Sequence, residues 1–537
     1  MPSFPLRPVP LRRSTLTSAL LAPLLLAACG PALETPPTPE LSGAAAPAQS
    51  AAPEATPAEP SRSPRRELRG LWVDAFGPGL KTPQEIDTLV ADAAAMNVNV
   101  LFAQVGRRGD CYCTNAAMPR TDDPAVPAGF DPLADLIAKA HARGIQVHAW
   151  IITTAIWNSV TPPTSPAHAF NAHGLSTTGR DNWLMVKNDG TLRGGADWLL
   201  DPGHPDAAEY IRTMYVSVVR NYDVDGVQFD RVRYPDYNPV GGPNTWGYNA
   251  TALERYRAET GATGTPEPGD PVWSAWRTQQ VTNLVRETAL AVKAVKPDVS
   301  VNAATITYGA GPADEAGFTQ SRTAKEVLQD WATWVREGYL DVNVMMNYKR
   351  EHVADQALWF EQWNAFGARM LEVNPEVAQV SGSAIYLNDQ PGSVQQILDT
   401  RAAGLSGWAG YSYRTPDADV NAGTRTKEQV IPELTANLSG VGGPFEGSAR
   451  WDRPNPAKLR AVSGQITVAS GQLGGRTVEL LNAQGEVVAA TQTDGQGRYG
   501  FMRFPYGRVQ VRAGGVTSRD FTPLPRAVYT VPVLALP

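Results

Sequence analysis

The chain has 537 residues, of which 47 are basic and 53 acidic, so its formal net charge is −6 at pH 7. This balance, with no basic stripe along the sequence, argues against a nucleic-acid partner. Three cysteines are too few for a disulfide scaffold, and the length allows a barrel of about 250 residues together with smaller domains.

The N-terminal segment has the features of an export signal. Arg7, Arg12 and Arg13 precede the apolar run LTSALLAPLLLAACG, which is too short to span a membrane as a mature helix. The end of this run, LAAC, resembles the lipobox of bacterial lipoproteins, in which cleavage leaves a lipid-bearing cysteine at the new N-terminus. An ordinary signal cut after the two alanines is the alternative. We predict a lipoprotein signal over residues 1–29, lipidation at Cys29, and an exported protein anchored to the bacterial cell envelope.

Residues 30–64 consist largely of Pro, Ala, Ser, Thr and Glu. Such a segment has too little large apolar surface to fold, so we predict a disordered tether. A tether of this kind would let an anchored domain reach material away from the membrane.

From residue 65 to residue 442 short runs rich in Val, Ile, Trp and Tyr alternate with helical patterns. This alternation is typical of β/α units around a parallel sheet, and it predicts an α/β fold with a (β/α)₈ barrel. An open doubly wound sheet is the alternative, but the sequence has no glycine-rich phosphate turn to support it. The predicted strands are 67–76, 99–106, 145–152, 226–232, 300–308, 341–348, 378–387 and 406–413.

Two long insertions, 153–204 and 235–270, follow the third and fourth predicted strands. Barrels of this kind place their sites on the face where the strands end, so both insertions are expected to wall a cleft. Residues 445–537 show short alternating β patterns separated by glycine turns, which predict a small β-sandwich with a stabilising or spacing role.

The fourth predicted strand ends in an aspartate within the stretch GVQFDRVRYP. Side chains alternate faces along a strand, so Val227 and Phe229 share one side while Gln228 and Asp230 share the other. If the apolar side meets the helices, Asp230 points inward at the C-terminal rim. A carboxylate in that position is costly unless it is paired or functional, so Asp230 is the main catalytic candidate; a structural carboxylate that bridges strands is the alternative.

Polar and aromatic residues end the other predicted strands, and Tyr308 ends the fifth. A sugar offers apolar faces to aromatic rings and hydroxyls to amides, carboxylates and arginines, so this mixture favours a carbohydrate site. The predicted substrate-binding residues are Asp74, Gln104, Arg107, His148, Trp150, Arg233, Tyr234, Asn347, Tyr348, Trp408 and Tyr411.

No second histidine stands at ligand spacing from His148, and the sequence has neither a Gly-x-Ser-x-Gly elbow nor a P-loop. We therefore predict no metal site and no cofactor. Cys111 and Cys113 are close in sequence for a mutual disulfide, and their state stays open at this point.

Several stretches, among them RGLWVDAF, NVLFAQVGRRGDCYC and LLDPGHPDAAEYIRTMYVSVVRNYDVDGVQFDRVRYP, resemble the glycosyl-hydrolase-like family ten. The resemblance covers about 67–440 and implies a TIM barrel in a group of bacterial envelope lipoproteins, at least one branch of which cleaves peptidoglycan glycan strands stripped of their peptides. It places Asp230 at the carboxylate of the family's FDDYFYP-type block, whereas Arg231 stands where that block usually has a second aspartate. The family's QVRP.GDA.Y pattern falls on Gln104, Arg107 or Arg108, Asp110 and Tyr112.

Glycoside hydrolysis needs two carboxyl groups, one to protonate the leaving oxygen and one to attack or stabilise the cationic centre. Asp230 is predicted in the second role, and the candidates for its partner are Glu315 and Asp110, with Asp74 behind them. The competing hypothesis is a lipoprotein that binds glycans on a barrel scaffold without catalysis, since a fold alone does not establish an activity. The sequence does not indicate an oligomeric state.

Overall fold

The computed structural model describes residues 65–239 and 241–537. The predictions for residues 1–29, for Cys29 and for the tether concern residues outside those ranges. Among the helices within the described ranges, none combines the length and apolar character needed to cross a membrane.

The part of the chain that the structure describes contains a closed barrel of eight strands, all parallel and paired in sequence order, with the last strand beside the first. The prediction of an α/β barrel is therefore confirmed, and the open sheet is excluded. The barrel strands are β1 (Leu68–Val73), β2 (Val100–Gly106), β3 (Gln146–Ile152), β4 (Gly226–Asp230), β5 (Ser300–Ile306), β6 (Val342–Met346), β7 (Ala378–Ala384) and β8 (Gly407–Tyr411).

Helices connect the strands and surround the barrel. They are α1 (Pro83–Ala95), α2 (Pro132–His141), α3 (Ala169–His173), α4 (Pro205–Asn221), α5 (Ala250–Thr260), α6 (Pro271–Val295), α7 (Glu315–Gln320), α8 (Arg322–Glu326), α9 (Trp331–Arg336), α10 (Ala354–Val373), α11 (Gln390–Ala402), α12 (Ala418–Ala422) and α13 (Lys427–Ser439).

The start of α1 shows how local sequence sets these elements. The Thr82 side chain accepts a hydrogen bond from the Glu85 backbone N–H, and Pro83 occupies the first helical position. Ile86 and Leu89 are fully buried against the barrel, and burial of each such side chain contributes about 1.5–3 kcal/mol. The capped, one-sided helix therefore follows directly from the order of its residues.

The first insertion contains a three-stranded antiparallel sheet formed by Ala155–Trp157, Arg193–Gly194 and Asp197–Leu199. The second insertion contains α5. Both leave the barrel where β3 and β4 end, which is the face that the sequence predicted.

The C-terminal residues form two four-stranded sheets that share an apolar core, and this confirms the predicted β-sandwich. One sheet combines β9, β12, β15 and β16, and the other combines β10, β11, β13 and β14. These strands are β9 (Ala461–Val468), β10 (Thr477–Asn482), β11 (Val487–Gln492), β12 (Arg498–Met502), β13 (Val509–Ala513), β14 (Val516–Thr517), β15 (Val528–Thr530) and β16 (Leu534–Leu536).

Buried ion pairs join the sandwich to the barrel. Asp341 immediately precedes β6, and its carboxylate lies 2.7 Å from Nζ of Lys293 in α6 and 2.7 Å from the guanidinium of Arg503 in the sandwich. It also accepts a hydrogen bond from the backbone N–H of Val301 at 2.8 Å. One carboxylate therefore connects a barrel strand, an outer helix and the C-terminal domain.

His148 lies on β3 inside the barrel and is fully buried. Its ring nitrogens face the Asn302 side chain at 3.2 Å and the Gln146 side chain at 3.1 Å. Burial lowers the pKa of His148 from 6.5 to about 4, although Asp225 and Asn302 act in the opposite direction. The imidazole is therefore held in its neutral form.

This pKa shift makes the stability of the protein depend on pH. The folded pKa lies below the unfolded one, so the folded state binds fewer protons and loses stability as the pH falls from about 6.5 to about 4, by about 3 kcal/mol in total. We expect His148→Gln to lose less stability than the unmodified protein between about pH 7 and about pH 5, measured by urea unfolding. The exposed His352→Gln is the control, and an unchanged pH dependence in His148→Gln would contradict this account.

Candidate active site

The C-terminal ends of the barrel strands surround a cavity of about 580 Å³. Its charged lining residues are Asp230, Arg231, Arg233 and Lys349. Its aromatic lining residues are Trp72, Trp150, Tyr308, Tyr348, Trp359, Tyr386 and Tyr411.

Asp230 is the last residue of β4, and its carboxylate is directed into this cavity. Oδ2 accepts a hydrogen bond from the indole N–H of Trp150 at 3.0 Å, and Oδ1 accepts one from the backbone N–H of Arg231 at 2.6 Å. The neighbouring Phe229 points the other way, with its ring 4.5 Å from that of Tyr215 on α4. The alternation of faces along β4 is therefore the one that the sequence predicted, and both carboxylate oxygens act as acceptors.

Arg231 explains why the strand ends here. Its φ of 52° places it in the left-handed region, which costs a residue with a side chain about 1 kcal/mol or more. The carbonyl of Arg231 accepts a hydrogen bond from Thr154 at 2.9 Å, and its guanidinium lies 2.5 Å from Asp197. The other oxygen of Asp197 binds Arg108 at 2.9 Å. A buried carboxylate of the first insertion thus holds the turn that presents Asp230.

Asp236 does not line the cavity itself but contacts two residues that do. It accepts a hydrogen bond from the Tyr308 hydroxyl at 2.5 Å, and one oxygen lies 3.7 Å from Arg233. Burial alone would raise the pKa of Asp236, but Arg233 and the Tyr308 hydroxyl outweigh it and lower that pKa. Asp236 is therefore an ionised carboxylate at the edge of the cavity.

Lys349 follows β6 and lines the same cavity. Its ammonium donates to the Thr307 carbonyl at 2.7 Å, and only 6% of the residue is exposed. Burial lowers the pKa of Lys349 to about 8. The lysine is therefore a buried cation at the mouth of the barrel.

Tyr411, the last residue of β8, is the centre of the aromatic part of the lining. Its ring centroid lies 5.5 Å from that of Tyr348, 5.9 Å from Tyr386, 6.1 Å from Trp72 and 6.2 Å from Trp150. Rings arranged in this way offer an apolar surface suited to the face of a sugar. Polar groups at their edge would meet the hydroxyls.

Five of the predicted catalytic and substrate-binding residues line the cavity, as does Tyr308, which ends the fifth predicted strand. The five are Asp230, Trp150, Arg233, Tyr348 and Tyr411.

Asp74 and Gln104 end their strands nearby but are engaged in the structure itself. The carboxylate of Asp74 lies 2.9 Å from Nε of Arg414 and is fully buried. The Gln104 side chain is also buried and accepts a hydrogen bond from the Ala75 backbone at 3.0 Å. Neither residue is among those that line the cavity.

Asp110, a predicted catalytic residue, organises its own loop instead. Its carboxylate accepts hydrogen bonds from the Thr121 hydroxyl at 2.6 Å and from the Arg108 backbone at 3.0 Å. Arg107 lies 3.8 Å from Asp110 and 3.6 Å from Asp123, so it also belongs to this loop. Neither Asp110 nor Arg107 lines the cavity.

The same loop contains the two cysteines whose state the sequence left open. Cys111 and Cys113 form a disulfide, with their Cα atoms 5.0 Å apart.

Glu315, the other predicted partner of Asp230, lies away from the cavity lining. It is the first residue of α7, and its carboxylate pairs with Arg336 at 2.5 Å. The short helix, which is not a simple loop after β5, directs this side chain toward α9.

Four predicted substrate-binding residues are buried elsewhere, for reasons of strand phase and depth. His148 points into the barrel like Trp150 but lies one layer below it, and Asn347 faces α10, where it donates to the Phe360 carbonyl at 2.9 Å. Trp408 lies on the opposite face of β8 from Tyr411 and donates to Ser383 at 2.7 Å. Tyr234 is fully buried, with its hydroxyl 3.4 Å from Asp201.

Sequence reasoning missed several residues of the lining. Lys349 and Tyr386 stand directly after or within predicted strands, so their positions carried a usable signal. Trp72 lies in the middle of a predicted strand, where a large apolar side chain predicts a core residue. Trp359 lies on α10, away from any strand end, and its place in the lining depends on how that helix packs.

Comparison with known proteins shows which family this chain matches. The family model described as glycosyl hydrolase-like 10 matches residues 67–393. The protein named glycosyl hydrolase DigH from Escherichia coli (strain K12) is 26% identical over 288 residues, which cover 49% of this chain and 55% of the relative. Glycosyl hydrolase YngK from Bacillus subtilis (strain 168) is 25% identical over 323 residues, which cover 56% of each protein. The chain thus spans about half the length of the relatives it matches.

Solved structures with a related fold include the glycoside hydrolase domain of PgaB (BpsB) from Bordetella bronchiseptica. The TM-score is 0.47 at 16% identity, and the match covers 68% of this chain and 98% of that domain. The catalytic domain of a β-amylase from Paenibacillus polymyxa has a TM-score of 0.47 at 13% identity, with 69% of this chain and 100% of that domain covered.

Proposed function

Because this chain belongs to the glycosyl hydrolase-like 10 family, we propose that it is a glycoside hydrolase acting on a cell-envelope polysaccharide. The observation that supports this proposal most directly is Asp230, a carboxylate at the end of β4 in a cavity lined by aromatic rings. Peptide-free peptidoglycan glycan strands are the first substrate to test.

In the proposed mechanism Asp230 attacks or stabilises the cationic sugar centre. Both of its oxygens accept hydrogen bonds from N–H groups, which fixes the carboxylate and suits a nucleophile or charge stabiliser better than a proton donor. The candidate for the second carboxylate is Asp236, which contacts Tyr308 and Arg233. Because Asp236 is ionised without substrate, a glycan bound beside it would have to raise its pKa by excluding water before it could protonate the leaving oxygen. This assignment replaces Glu315 and Asp110, whose contacts lie elsewhere.

A second candidate function, glycan binding without catalysis, is favoured by one observation. Within the described residues, Asp230 is the single carboxylate among those that line the cavity, and Arg231 stands beside it. A reducing-end assay on the purified protein with peptide-free glycan strands, chitin-type and amylose-type polymers separates the two candidates. New reducing ends support the hydrolase, and affinity without any turnover supports the binding protein.

The proposed location is the bacterial cell envelope, with a lipid anchor at Cys29. The support is the sequence itself, in which three arginines, an apolar run and the LAAC end stand in the order of a lipoprotein signal. Labelling of expressing cells with a fatty-acid analogue, with Cys29→Ser as the control, tests this location.

The hydrogen bond from Trp150 to Asp230 allows a graded test of the mechanism. We expect Trp150→Phe to lower kcat by about 10-fold to 100-fold, because a hydrogen bond to a charged group contributes about 1.5–3 kcal/mol. An aromatic ring, although a smaller one, would remain at this place in the lining. Steady-state kinetics give kcat and KM separately, and Trp359→Phe is the matched control, with a smaller effect on kcat. A larger fall in kcat for the control would count against the proposed role of the indole N–H.

A further inference from the structure

Two of the three cations in the cavity lining have no hydrogen-bonded acid among the described residues. Arg231 is tied to Asp197 at 2.5 Å, whereas Lys349 donates only to Thr307. The Nε of Arg233 is buried without a hydrogen-bond partner, and the nearest carboxylate oxygen to its guanidinium is that of Asp236 at 3.7 Å. The cavity therefore presents buried positive charge for which the protein supplies no hydrogen-bonded acid, only the longer contact between Arg233 and Asp236.

Arg233 and Lys349 flank the same stretch of chain after β5. Lys349 contacts Thr307, while Arg233 shares Asp236 with the next residue, Tyr308. Both basic side chains line the cavity, with 11% of the Arg233 side chain exposed. Their proximity to Thr307 and Tyr308 locates the two cations on one side of the cavity.

Keeping such groups inside a protein is unfavourable unless something compensates them. Burial lowers the pKa of Lys349 to about 8, so most of the ammonium still carries its charge near neutral pH. An anion bound between the two side chains would satisfy the guanidinium N–H groups and the ammonium together, because arginine binds carboxylates through a planar fork and lysine through a point charge.

We propose that Arg233 and Lys349 form a subsite for the carboxylate of an acidic sugar residue. This inference rests on the proposed function, since it assumes that the cavity receives a glycan. The ligand is a sugar that carries the anion, because the subsite shares its cavity with the Tyr411 ring cluster and with Asp230.

The test compares each acidic glycan with its own neutral form. Peptide-free peptidoglycan strands and oligogalacturonates are each used as such and after reduction of their carboxyl groups to alcohols. Calorimetry measures Kd for the full chain with Asp230→Asn, so that turnover does not consume the ligand. We expect reduction to weaken binding of at least one of the two glycans by about 10-fold to 100-fold.

Two substitutions locate the subsite. Lys349→Met and Arg233→Met are expected to weaken binding of the acidic form by about 10-fold or more and that of the reduced form by about 2-fold or less. Arg322→Met is the matched control, because Arg322 lies 5.2 Å from the Tyr308 ring but is largely exposed and paired with Glu326. A thermal melt verifies that each variant is folded, and either cation suffices for the test if one variant fails to fold.

Equal binding of the acidic and reduced forms of both glycans would overturn the proposal, as would equal weakening of both forms by each substitution. The hydrolase proposal fails separately. If the reducing-end assay shows no turnover while the preference for the carboxylate form, and its loss in the variants, are still observed, the subsite is supported. In that case the protein binds glycans without hydrolysing them.

Discussion

Asp230→Asn is expected to lower kcat by about 10³-fold or more without changing the fold. The amide has the same shape as the carboxylate and can still accept one of its two hydrogen bonds, but it carries no charge to stabilise or attack the cationic centre. The measurement is the rate of reducing-end formation on the best substrate from the initial screen, with the far-UV spectrum and the melting temperature as tests of folding.

Asp189→Asn is the control for this variant. It makes the same chemical change at an exposed carboxylate that pairs with Lys187 on the protein surface. We expect its activity to match that of the unmodified protein. Full activity in Asp230→Asn would remove the residue from the mechanism and leave the ring cluster as the remaining evidence for a glycan site.

Asp341→Asn is expected to destabilise the fold by about 3–5 kcal/mol, the usual effect of breaking a buried ion pair. The substitution would leave Lys293 and Arg503 close together without their shared anion. Since a domain is stable by only about 5–15 kcal/mol, this loss is large. Urea unfolding at neutral pH provides the measurement.

Glu376→Gln is the matched control, because Glu376 contacts the same Arg503 at 3.0 Å from a partly exposed position. We expect Glu376→Gln to cost about 1 kcal/mol or less. Equal destabilisation by the two variants would contradict the special role of Asp341.

The contribution of Asp341 to stability also depends on pH. Although burial by itself would raise the pKa of Asp341, Lys293 and Arg503 lower it, so the stabilisation by Asp341 is present above the unfolded pKa and is lost on acidification.

The sequence was sufficient to predict the barrel because each β/α unit is encoded locally. Strand phase alone placed Asp230 inward and Phe229 outward, since alternate side chains of a strand must face opposite ways. The same rule, applied more strictly, would have excluded Trp408, which lies an odd number of residues from Tyr411 on β8 and therefore on the other face.

The rest of the site depends on contacts between distant segments. Asp236 belongs to the site only because it contacts Tyr308 and Arg233. Trp359 lines the cavity only because α10 packs beside the mouth of the barrel. Depth inside the barrel separates His148 from Trp150, although the two share a strand and a face. No local pattern contains this information. The sequence therefore predicted the residues at the strand ends, but the packing of the folded chain determines which of them line the cavity.

Asp197 forms ion pairs with both Arg231 and Arg108, so it links three positions that are distant in the chain. An aspartate at position 231 would meet the existing carboxylate at close range, and the two like charges would repel. A charge-reversing substitution at position 231 would therefore require a compensating substitution at position 197. Homologues with an acidic residue at the position of Arg231 should carry a neutral or basic one at the position of Asp197.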